Sequence, residues 1–377
     1  MSSGRVVAPR SLAASSADAS DFVWSRRRDA KPYGFVGRRS GGRPARGGRS
    51  SPHLLMAMLM LCDWKLSPLA AEGRHPALED PWEAALRGGP GLVLALLTAT
   101  QGPSYRDPGA AMAIFSDGRF AGAVTSGCVE ADLILRAEEV RASGIPQRLR
   151  YGAGSPFMDL RLPCGGAAEV SLFPLRDRGA LFDLSRARAE RRAVALEISP
   201  QGDLGLGPWR PTGPAEEGFV LGFPPALRFL VFGAGPEAAV FARLLLSLDY
   251  DHLLISHEEE SLNSAAAFGC RTRPLRRAEE IAELDLDARC SAALFYHDHD
   301  YEPEILSRLL ETPAFYIGAQ GSRSAQRTRL LRLAEMGVTE AALSRLRGPI
   351  GLVPSARDPQ TLAISVLAEI LAAAPKA

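Results

Sequence analysis

The sequence lacks the cysteine pattern of a zinc site or of a disulfide framework. Its 377 residues include five cysteines, at positions 62, 128, 164, 270 and 290, which stand far apart and form no CxxC pair. An odd number of scattered cysteines is typical of reduced thiols in a cytosolic protein. We therefore expect a cytoplasmic chain in which any special cysteine acts as a thiol or thiolate.

Long hydrophobic runs are also missing. The longest unbroken apolar run covers residues 54–62, well short of the roughly 20 residues that a membrane helix needs. We expect no membrane span. We also expect no signal peptide, because the arm before the run is too long and no small-residue cleavage site follows it.

The chain has almost no net charge, but its charges are unevenly placed. Residues 1–53 contain 11 basic and 3 acidic residues, whereas the remainder contains 33 basic and 40 acidic residues. Nucleic-acid binding needs clustered Lys and Arg on a folded surface, so the acidic body argues against that partner. The segment 1–53 is rich in Ser, Arg and Gly and is predicted to be a disordered basic arm.

The length suits two domains, and the pattern changes along the chain accordingly. Residues 81–199 mix strands and helices and predict a smaller α+β domain, while residues 200–225 have the Gly- and Pro-rich composition of a linker. In residues 226–374 strands alternate with helices, which predicts a Rossmann-like, doubly wound parallel sheet. The last helix, 359–374, is expected to pack on this sheet, with pairing of two chains into a homodimer as the alternative.

More specific elements follow from periodicity and turn residues. Residues 116–119, Ser-Asp-Gly-Arg, predict a hairpin turn because glycine tolerates a positive φ. In the first part of the chain we predict helices near residues 82–86 and after Cys128 to about residue 142, and strands at 91–100, 110–115, 120–125, 148–151, 168–173 and 193–198.

A glycine-rich turn joins a predicted strand to a predicted helix at residues 233–238, Gly-Ala-Gly-Pro-Glu-Ala. In this context Gly233 permits a tight turn, Gly235 lets backbone approach a phosphate, and free helix amides favour an anion. The glutamates 258–260 stand where a dinucleotide site needs an acid, but they suit an exposed helix start equally well. The anion could belong to NAD or to any other phosphorylated ligand, a pterin cofactor included.

Two further loops follow strands of the same predicted sheet. His297, Asp298 and His299 end one strand at the carboxyl edge, where open α/β sheets bind ligands; they suit ligand or proton contacts better than a metal, and a plain polar loop is the alternative. The next strand ends in residues 318–323, Gly-Ala-Gln-Gly-Ser-Arg. Here Ser322 can cap a helix and Arg323 can reach a phosphate.

Two cysteines have settings that favour chemistry. Cys128 is predicted at a helix start, where the helix dipole lowers a thiol pKa and favours a thiolate that attacks sulfur or binds a soft metal. Cys164 precedes Gly165 and Gly166, which let a ligand or backbone come close. A buried structural cysteine is the ordinary alternative for each. No nucleophilic triad is visible.

The combination of these motifs resembles the XdhC/CoxI family of xanthine dehydrogenase accessory proteins, over residues 82–370. The resemblance rests on the loops 101–109, 126–130, 151–155, 162–166, 233–235, 297–299 and 316–323. Pro236 departs from the pattern, since members often have histidine there. The resemblance implies a chaperone that holds molybdenum cofactor (molybdopterin) while a cysteine desulfurase supplies sulfur, and that then transfers the cofactor to a molybdenum hydroxylase apoenzyme.

On this interpretation the chain is a maturation factor with no catalytic residue of its own, and Cys128 and Cys164 contact the metal or the sulfur. The alternatives are an NAD(P)-dependent oxidoreductase and a scaffold that only bridges desulfurase and client. The residues expected to bind the cofactor are Gln101, Ser126, Cys128, Glu130, Cys164, Gly165, Gly166, Gly233, Gly235, His297, Asp298, His299, Gly318, Gly321, Ser322 and Arg323.

Overall fold

The computed structural model describes residues 75–127, 129–155, 165–296 and 301–376. The predicted arm 1–53 lies outside these ranges, and so do the predicted site residues Cys128, Cys164, His297, Asp298 and His299. Within the described ranges, no helix is both long and apolar enough to cross a membrane.

An antiparallel sheet of five strands, in the order β3-β2-β1-β5-β4, forms the first part of the described chain. Its strands are β1 (Val93–Gln101), β2 (Ala111–Ile114), β3 (Phe120–Gly122), β4 (Gln147–Gly152) and β5 (Ala167–Pro174). The predicted hairpin is confirmed, because β2 and β3 pair antiparallel from Ile114 opposite Phe120.

Helices cover both faces of this sheet. They are α1 (Pro81–Arg87), α2 (Glu130–Ser143) and α3 (Gly179–Ala189). Helices α1 and α2 occur where their sequence patterns predict them. Helix α3 is an element that the sequence patterns above do not predict, although Leu181, Leu184 and Ala187 are buried at helical spacing.

A second antiparallel sheet joins the predicted strand at 193–198 to three strands in the segment 200–225, which is expected from its composition to be a linker. Its order is β7-β6-β9-β8, and its strands are β6 (Val194–Ile198), β7 (Leu204–Pro208), β8 (Gly213–Ala215) and β9 (Gly218–Phe223). The linker prediction for residues 200–225 is therefore wrong. The glycines serve close strand packing: a Cβ on Gly218 would overlap the carbonyl oxygen of Ile198. Phe219 and Leu221 of β9 are buried against the first sheet's core.

The third sheet is parallel throughout, with six strands in the order β12-β11-β10-β13-β14-β15. Its strands are β10 (Arg228–Gly233), β11 (Asp251–Ser256), β12 (Thr272–Pro274), β13 (Cys290–Phe295), β14 (Tyr316–Ala319) and β15 (Leu346–Arg347). The helices between and after them are α4 (Pro236–Ser247), α5 (Glu259–Ala267), α6 (Glu302–Leu310), α7 (Arg323–Glu335), α8 (Glu340–Leu343) and α9 (Pro359–Ala373). This confirms the predicted α/β class.

The strand order decides where a ligand could enter the parallel sheet. Counting from β10 as the first strand, the order is 3-2-1-4-5-6, so the chain reverses direction across the sheet between β10 and β13. Ligands of open α/β sheets bind at the carboxyl ends of the strands at such a switch point. The central strands are apolar on both faces because helices cover both, and two core clusters lie on either side of them.

An arginine links the small antiparallel sheet region to the parallel sheet. Arg191, just after α3, makes a double hydrogen bond to Asp287, at 2.8 and 3.0 Å, and lies 3.5 Å from Asp251. Only 6% of its side chain is exposed. Burial would raise the pKa of Asp287, but the hydrogen bond and charge of Arg191 outweigh it and hold that pKa below its ordinary value.

Candidate functional site

Strand register gathers several predicted loops at one end of the first sheet. Gln101, the last residue of β1, pairs with Ala167, the first residue of β5, and Gly152 at the end of β4 pairs with the same residue. The turns around Gly165 and Gly166 therefore meet the loop that follows Gln101. Antiparallel pairing alone produces this meeting.

Arg150 holds these loops in place. Its guanidinium donates to the side-chain oxygen of Gln101 at 2.7 Å, to Glu169 at 2.7 Å and to the carbonyl oxygen of Ala153 at 3.1 Å. The side-chain oxygen of Gln101 thus already accepts a hydrogen bond from Arg150. The sequence motifs do not single out Arg150, because its main partners are distant in sequence.

Gly166 is confirmed as a position where backbone comes close. A Cβ there would lie 2.8 Å from the carbonyl oxygen of Gln101 and would overlap that of Pro103. Its own carbonyl accepts a hydrogen bond from the amide of Ala153 at 3.2 Å. Any larger residue would separate these loops.

Glu130 shapes the loop that contains position 128. Its carboxylate accepts hydrogen bonds from the amide and hydroxyl of Thr125, at 2.7 and 2.8 Å, and from the amide of Val129 at 3.2 Å. Only 6% of the residue is exposed. Arg106 then joins this loop to the loop after β1, since its Nε donates to the Thr125 carbonyl at 3.2 Å. Glu130 therefore uses its carboxylate to hold the backbone of this loop. Ser126, in the same loop, is exposed.

The glycine-rich turn at the switch point has an internal partner. Gly233 adopts φ 151°, and a Cβ there would lie 2.7 Å from the carbonyl oxygen of Phe295 in β13. The amide of Gly235, which would face a phosphate, donates to Ser261 Oγ at 2.9 Å, and that hydroxyl donates to Glu258 at 3.0 Å. Glu258, one of the acids that a dinucleotide site would use to bind a ribose, is therefore connected through Ser261 to the turn itself.

Aromatic rings stack beside this turn. The ring of His257 lies 5.5 Å from that of Tyr296 and 4.4 Å from that of Tyr301, with interplanar angles of 25° and 20°. Burial, followed by the nearby carboxylates of Glu302 and Glu258, raises the pKa of Tyr296 far above its ordinary value. The buried Tyr296 hydroxyl has no hydrogen-bond partner in the described part of the chain.

The loop between β14 and α7 presents a second helix start. Ser322 caps α7 by accepting from the amide of Ala325 at 3.1 Å, which confirms its predicted role as a cap. Gly321, Ser322 and Arg323 are exposed. Gly318 is instead buried within β14, where a Cβ would lie 2.6 Å from Ile350 and 2.8 Å from the Tyr316 ring. The side chains of Ile350 and Tyr316 therefore cover Gly318, and its contact with a cofactor stays a prediction.

A buried ion pair beneath this loop is not indicated by any of the sequence motifs. Arg329 of α7 contacts both carboxylate oxygens of Glu302, at 2.9 and 3.2 Å, and donates to the carbonyl of Gln320 at 2.8 Å. The two side chains are 3% and 1% exposed. One weak signal exists: Gln326, Arg329 and Leu333 recur at helical spacing on the face of α7 that packs inwards.

The described thiols and carboxylates do not form a metal centre. No group of three or more His, Cys, Asp or Glu side chains within the described ranges could hold a metal ion. Cys270 and Cys290 are free and buried, and burial raises the pKa of both thiols, to about 11 for Cys290. The soft ligands predicted at positions 128 and 164 lie outside these ranges.

Comparison with known proteins places this arrangement in a family. The XdhC and CoxI family model matches residues 85–152, and the XdhC Rossmann domain model matches residues 229–370. A solved structure described as a xanthine dehydrogenase from Bacillus halodurans has a TM-score of 0.64 at 22% identity. It covers 78% of this chain and 94% of its own, and the likeness shows the shared fold.

Two curated relatives are matched over most of their own lengths. The molybdenum cofactor insertion chaperone PaoD of Escherichia coli (strain K12) is 35% identical over 288 residues, which are 76% of this chain and 84% of PaoD. A protein of Bacillus subtilis (strain 168), named as a probable xanthine dehydrogenase component, is 23% identical, over 78% of this chain and 94% of that protein. The chain belongs to the XdhC and CoxI family.

Proposed function

We propose that this protein is a chaperone that binds molybdenum cofactor and inserts it into the apoenzyme of a xanthine dehydrogenase-type molybdenum hydroxylase. One observation carries the proposal: four loops, two of which adjoin positions 128 and 164, meet at one end of the antiparallel sheet and are clamped there by Arg150, Arg106 and Glu130. The relative named as an insertion chaperone supports it.

The thiols give this end of the sheet its chemistry. Thiolates are the protein ligands that suit soft metals and that react with sulfur. Cys128 and Cys164 are the residues that would contact the molybdenum or the sulfur delivered by a cysteine desulfurase. The described backbone that adjoins these two positions is held by the hydrogen bonds of Glu130 and by the contact of Ala153 with Gly166. When bound, the cofactor supplies the molybdenum centre that the client enzyme uses.

The exposed start of α7 is the better place for the cofactor phosphate. Its first turn has no acidic residue, Ser322 satisfies one amide, and Arg323 adds a positive charge. Free amides and the helix dipole favour an anion at such a terminus. The first turn of α4 fits less well, because Pro236 has no amide proton and Glu237 is negative.

Metal content tests the proposal. The full chain is purified from cells that synthesise molybdenum cofactor, and molybdenum is measured by mass spectrometry. We expect bound molybdenum in the wild type and a loss of at least about half of it in Cys128→Ala or Cys164→Ala. Cys270→Ala is the control thiol, since it is buried away from these loops. Full retention in both single variants would remove the thiols from the proposal.

The alternative of an NAD(P)-dependent oxidoreductase is favoured by the strand order and the glycine-rich turn. It is opposed by the hydrogen bond that occupies the Gly235 amide. Fluorescence titration with NADH and NADPH separates the two functions. Tight dinucleotide binding in protein that never carries molybdenum would favour the oxidoreductase.

A further inference from the structure

The aromatic stack crosses the switch point of the parallel sheet. His257 directly follows β11 and Tyr296 directly follows β13, with β10 between these two strands. Strands once removed are about 10 Å apart, so rings whose centroids are 5.5 Å apart must approach each other across the end of β10. The strand they cross is the one that ends in the glycine-rich turn.

The switch point lacks the features that bind phosphate. Three features at this turn disfavour a phosphate. Pro236 supplies no amide proton, the Gly235 amide already donates to Ser261, and Glu237 puts negative charge in the first turn of α4. Phosphate sites of this fold depend on free amides and a positive helix terminus at this turn. The switch point is therefore poorly suited to a phosphate.

It has instead the features that bind a planar ring. The rings of Tyr296 and Tyr301 each lie within 25° of parallel to the ring of His257. The outer ring, Tyr301, is 53% exposed, whereas Tyr296 is 3% exposed and has a hydroxyl without a partner in the described part of the chain. Exposed ring faces stack on heteroaromatic ligands, and a buried polar group without a partner marks a place for a ligand atom.

We propose that His257 and Tyr301 form a stacking platform for a planar heteroaromatic ring, with the Tyr296 hydroxyl as its polar contact. Identifying the ring as a pterin rests on the proposed function, whereas a nucleobase has the same ring chemistry. The switch point would thus hold the ring of the ligand, and the start of α7 its phosphate.

Fluorescence titration of the full chain with free pterin tests this platform. We expect Tyr301→Ala and His257→Ala to weaken pterin binding about 10-fold, as loss of a stacked aromatic does. Tyr301→Phe keeps the ring and should stay within about 2-fold of wild type. Tyr296→Phe should weaken binding about 5-fold through the loss of one hydrogen bond. Phe182→Ala is the control, because Phe182 is an equally exposed aromatic on α3.

Competition identifies the source of the ring. Displacement of pterin by cytidine or guanosine would support the platform and extend it to nucleobases, and failure to displace would restrict it to pterins. Displacement by inorganic pyrophosphate, no saturable pterin binding to wild type, or equal affinities for Tyr301→Ala and Phe182→Ala would overturn it. Thermal unfolding of each variant checks its folding.

The two proposals fail separately. If the purified chain carries molybdenum but Tyr301→Ala does not change the affinity for pterin, the platform is wrong and the chaperone function stands. If pterin binding depends on Tyr301 but the chain never acquires molybdenum, the chaperone function is wrong and the platform stands.

Discussion

Helix α4 begins after β10 with Pro236 and Glu237, whereas helix α7 begins after β14 with Ser322 as its cap and Arg323 as its first residue. Both helices follow parallel strands and both are preceded by glycine in an unusual conformation. At α4 the nearest amide is occupied by Ser261, from a helix 26 residues away. At α7 the capping group comes from the turn itself and the surface stays open.

This difference shows that a glycine-rich turn determines the shape of the backbone but does not determine which ligand binds there. The shape brings β13 close to β10, as the contact of Gly233 with the Phe295 carbonyl demonstrates. Whether an anion binds depends on which amides are still free and on the charge of the first turn. Substitutions at and around the two helix starts test how far they differ.

Arg329→Ala should have the largest effect, because it removes the buried guanidinium that contacts both carboxylate oxygens of Glu302 and the Gln320 carbonyl before α7. We expect the free energy of unfolding to fall by about 3–5 kcal/mol, measured by urea denaturation. Arg327→Ala on the same helix is exposed and should change it by less than about 0.5 kcal/mol. Equal losses in the two variants would contradict the anchoring of this loop.

Gly233→Ala should come next and should exceed Gly321→Ala. Both positions have positive φ, 151° and 143°, and such strain costs about 1–3 kcal/mol. At Gly233 a Cβ also meets backbone at 2.7 Å, whereas at Gly321 its nearest neighbour is the Ala325 Cβ at 3.2 Å. Thermal unfolding of both variants gives the order, and a reversed order would show that β10 and β13 are not tightly joined at this turn.

Ser261→Ala and Ser322→Ala should each lower stability by about 1 kcal/mol, the former by leaving the Gly235 amide without its partner and the latter by removing a helix cap. Their effects on anions should differ. In calorimetric titration, pyrophosphate binding should weaken for Ser322→Ala, which removes an exposed hydroxyl that can donate to the anion. It should stay unchanged for Ser261→Ala, because Pro236 and Glu237 still disfavour an anion at α4 after the Gly235 amide is freed. The opposite pattern would show that the phosphate binds at the start of α4 and not at the start of α7.

Arg323→Gln should disturb the fold least, within about 0.5 kcal/mol, because Arg323 is exposed. It should still weaken pyrophosphate binding about 10-fold through the loss of one charge-assisted contact. Glu237→Gln is the matched control at α4, where no loss of pyrophosphate affinity is expected. Loss in the control alone would contradict the assignment of the phosphate to α7.

Local patterns predict most elements of the fold, and their failures have physical causes. The hairpin at residues 116–119, the strands that flank it and the alternation beyond residue 226 all follow from periodicity and turn residues. Residues 200–225 have the composition of a linker because Gly and Pro are typical of loops, but here Gly218 and Gly222 allow close approach of neighbouring backbone and Pro208 ends β7. Helix α3 is missed although its buried face has helical spacing.

The candidate site is predictable only in part. Ser322 caps its helix as expected, because a cap depends on three neighbouring residues. Gly318 faces the core, since one residue of register decides which side of a sheet a position meets. Arg150, Ser261 and Arg329 are not found from motifs, because the contacts that reveal them join residues 19, 26 and 27 positions apart in sequence.

The sequence by itself determined the α/β class, the family and the order of the glycine-bearing loops, since these depend on residues adjacent in the chain. Only the tertiary structure decided which amides remain free, which acids are neutralised and where rings stack. Gly235 belongs to a typical phosphate-binding motif, yet its amide is occupied by a serine from another helix. Hydrogen bonds between segments that are distant in sequence form only when the fold packs, so a local motif cannot predict them.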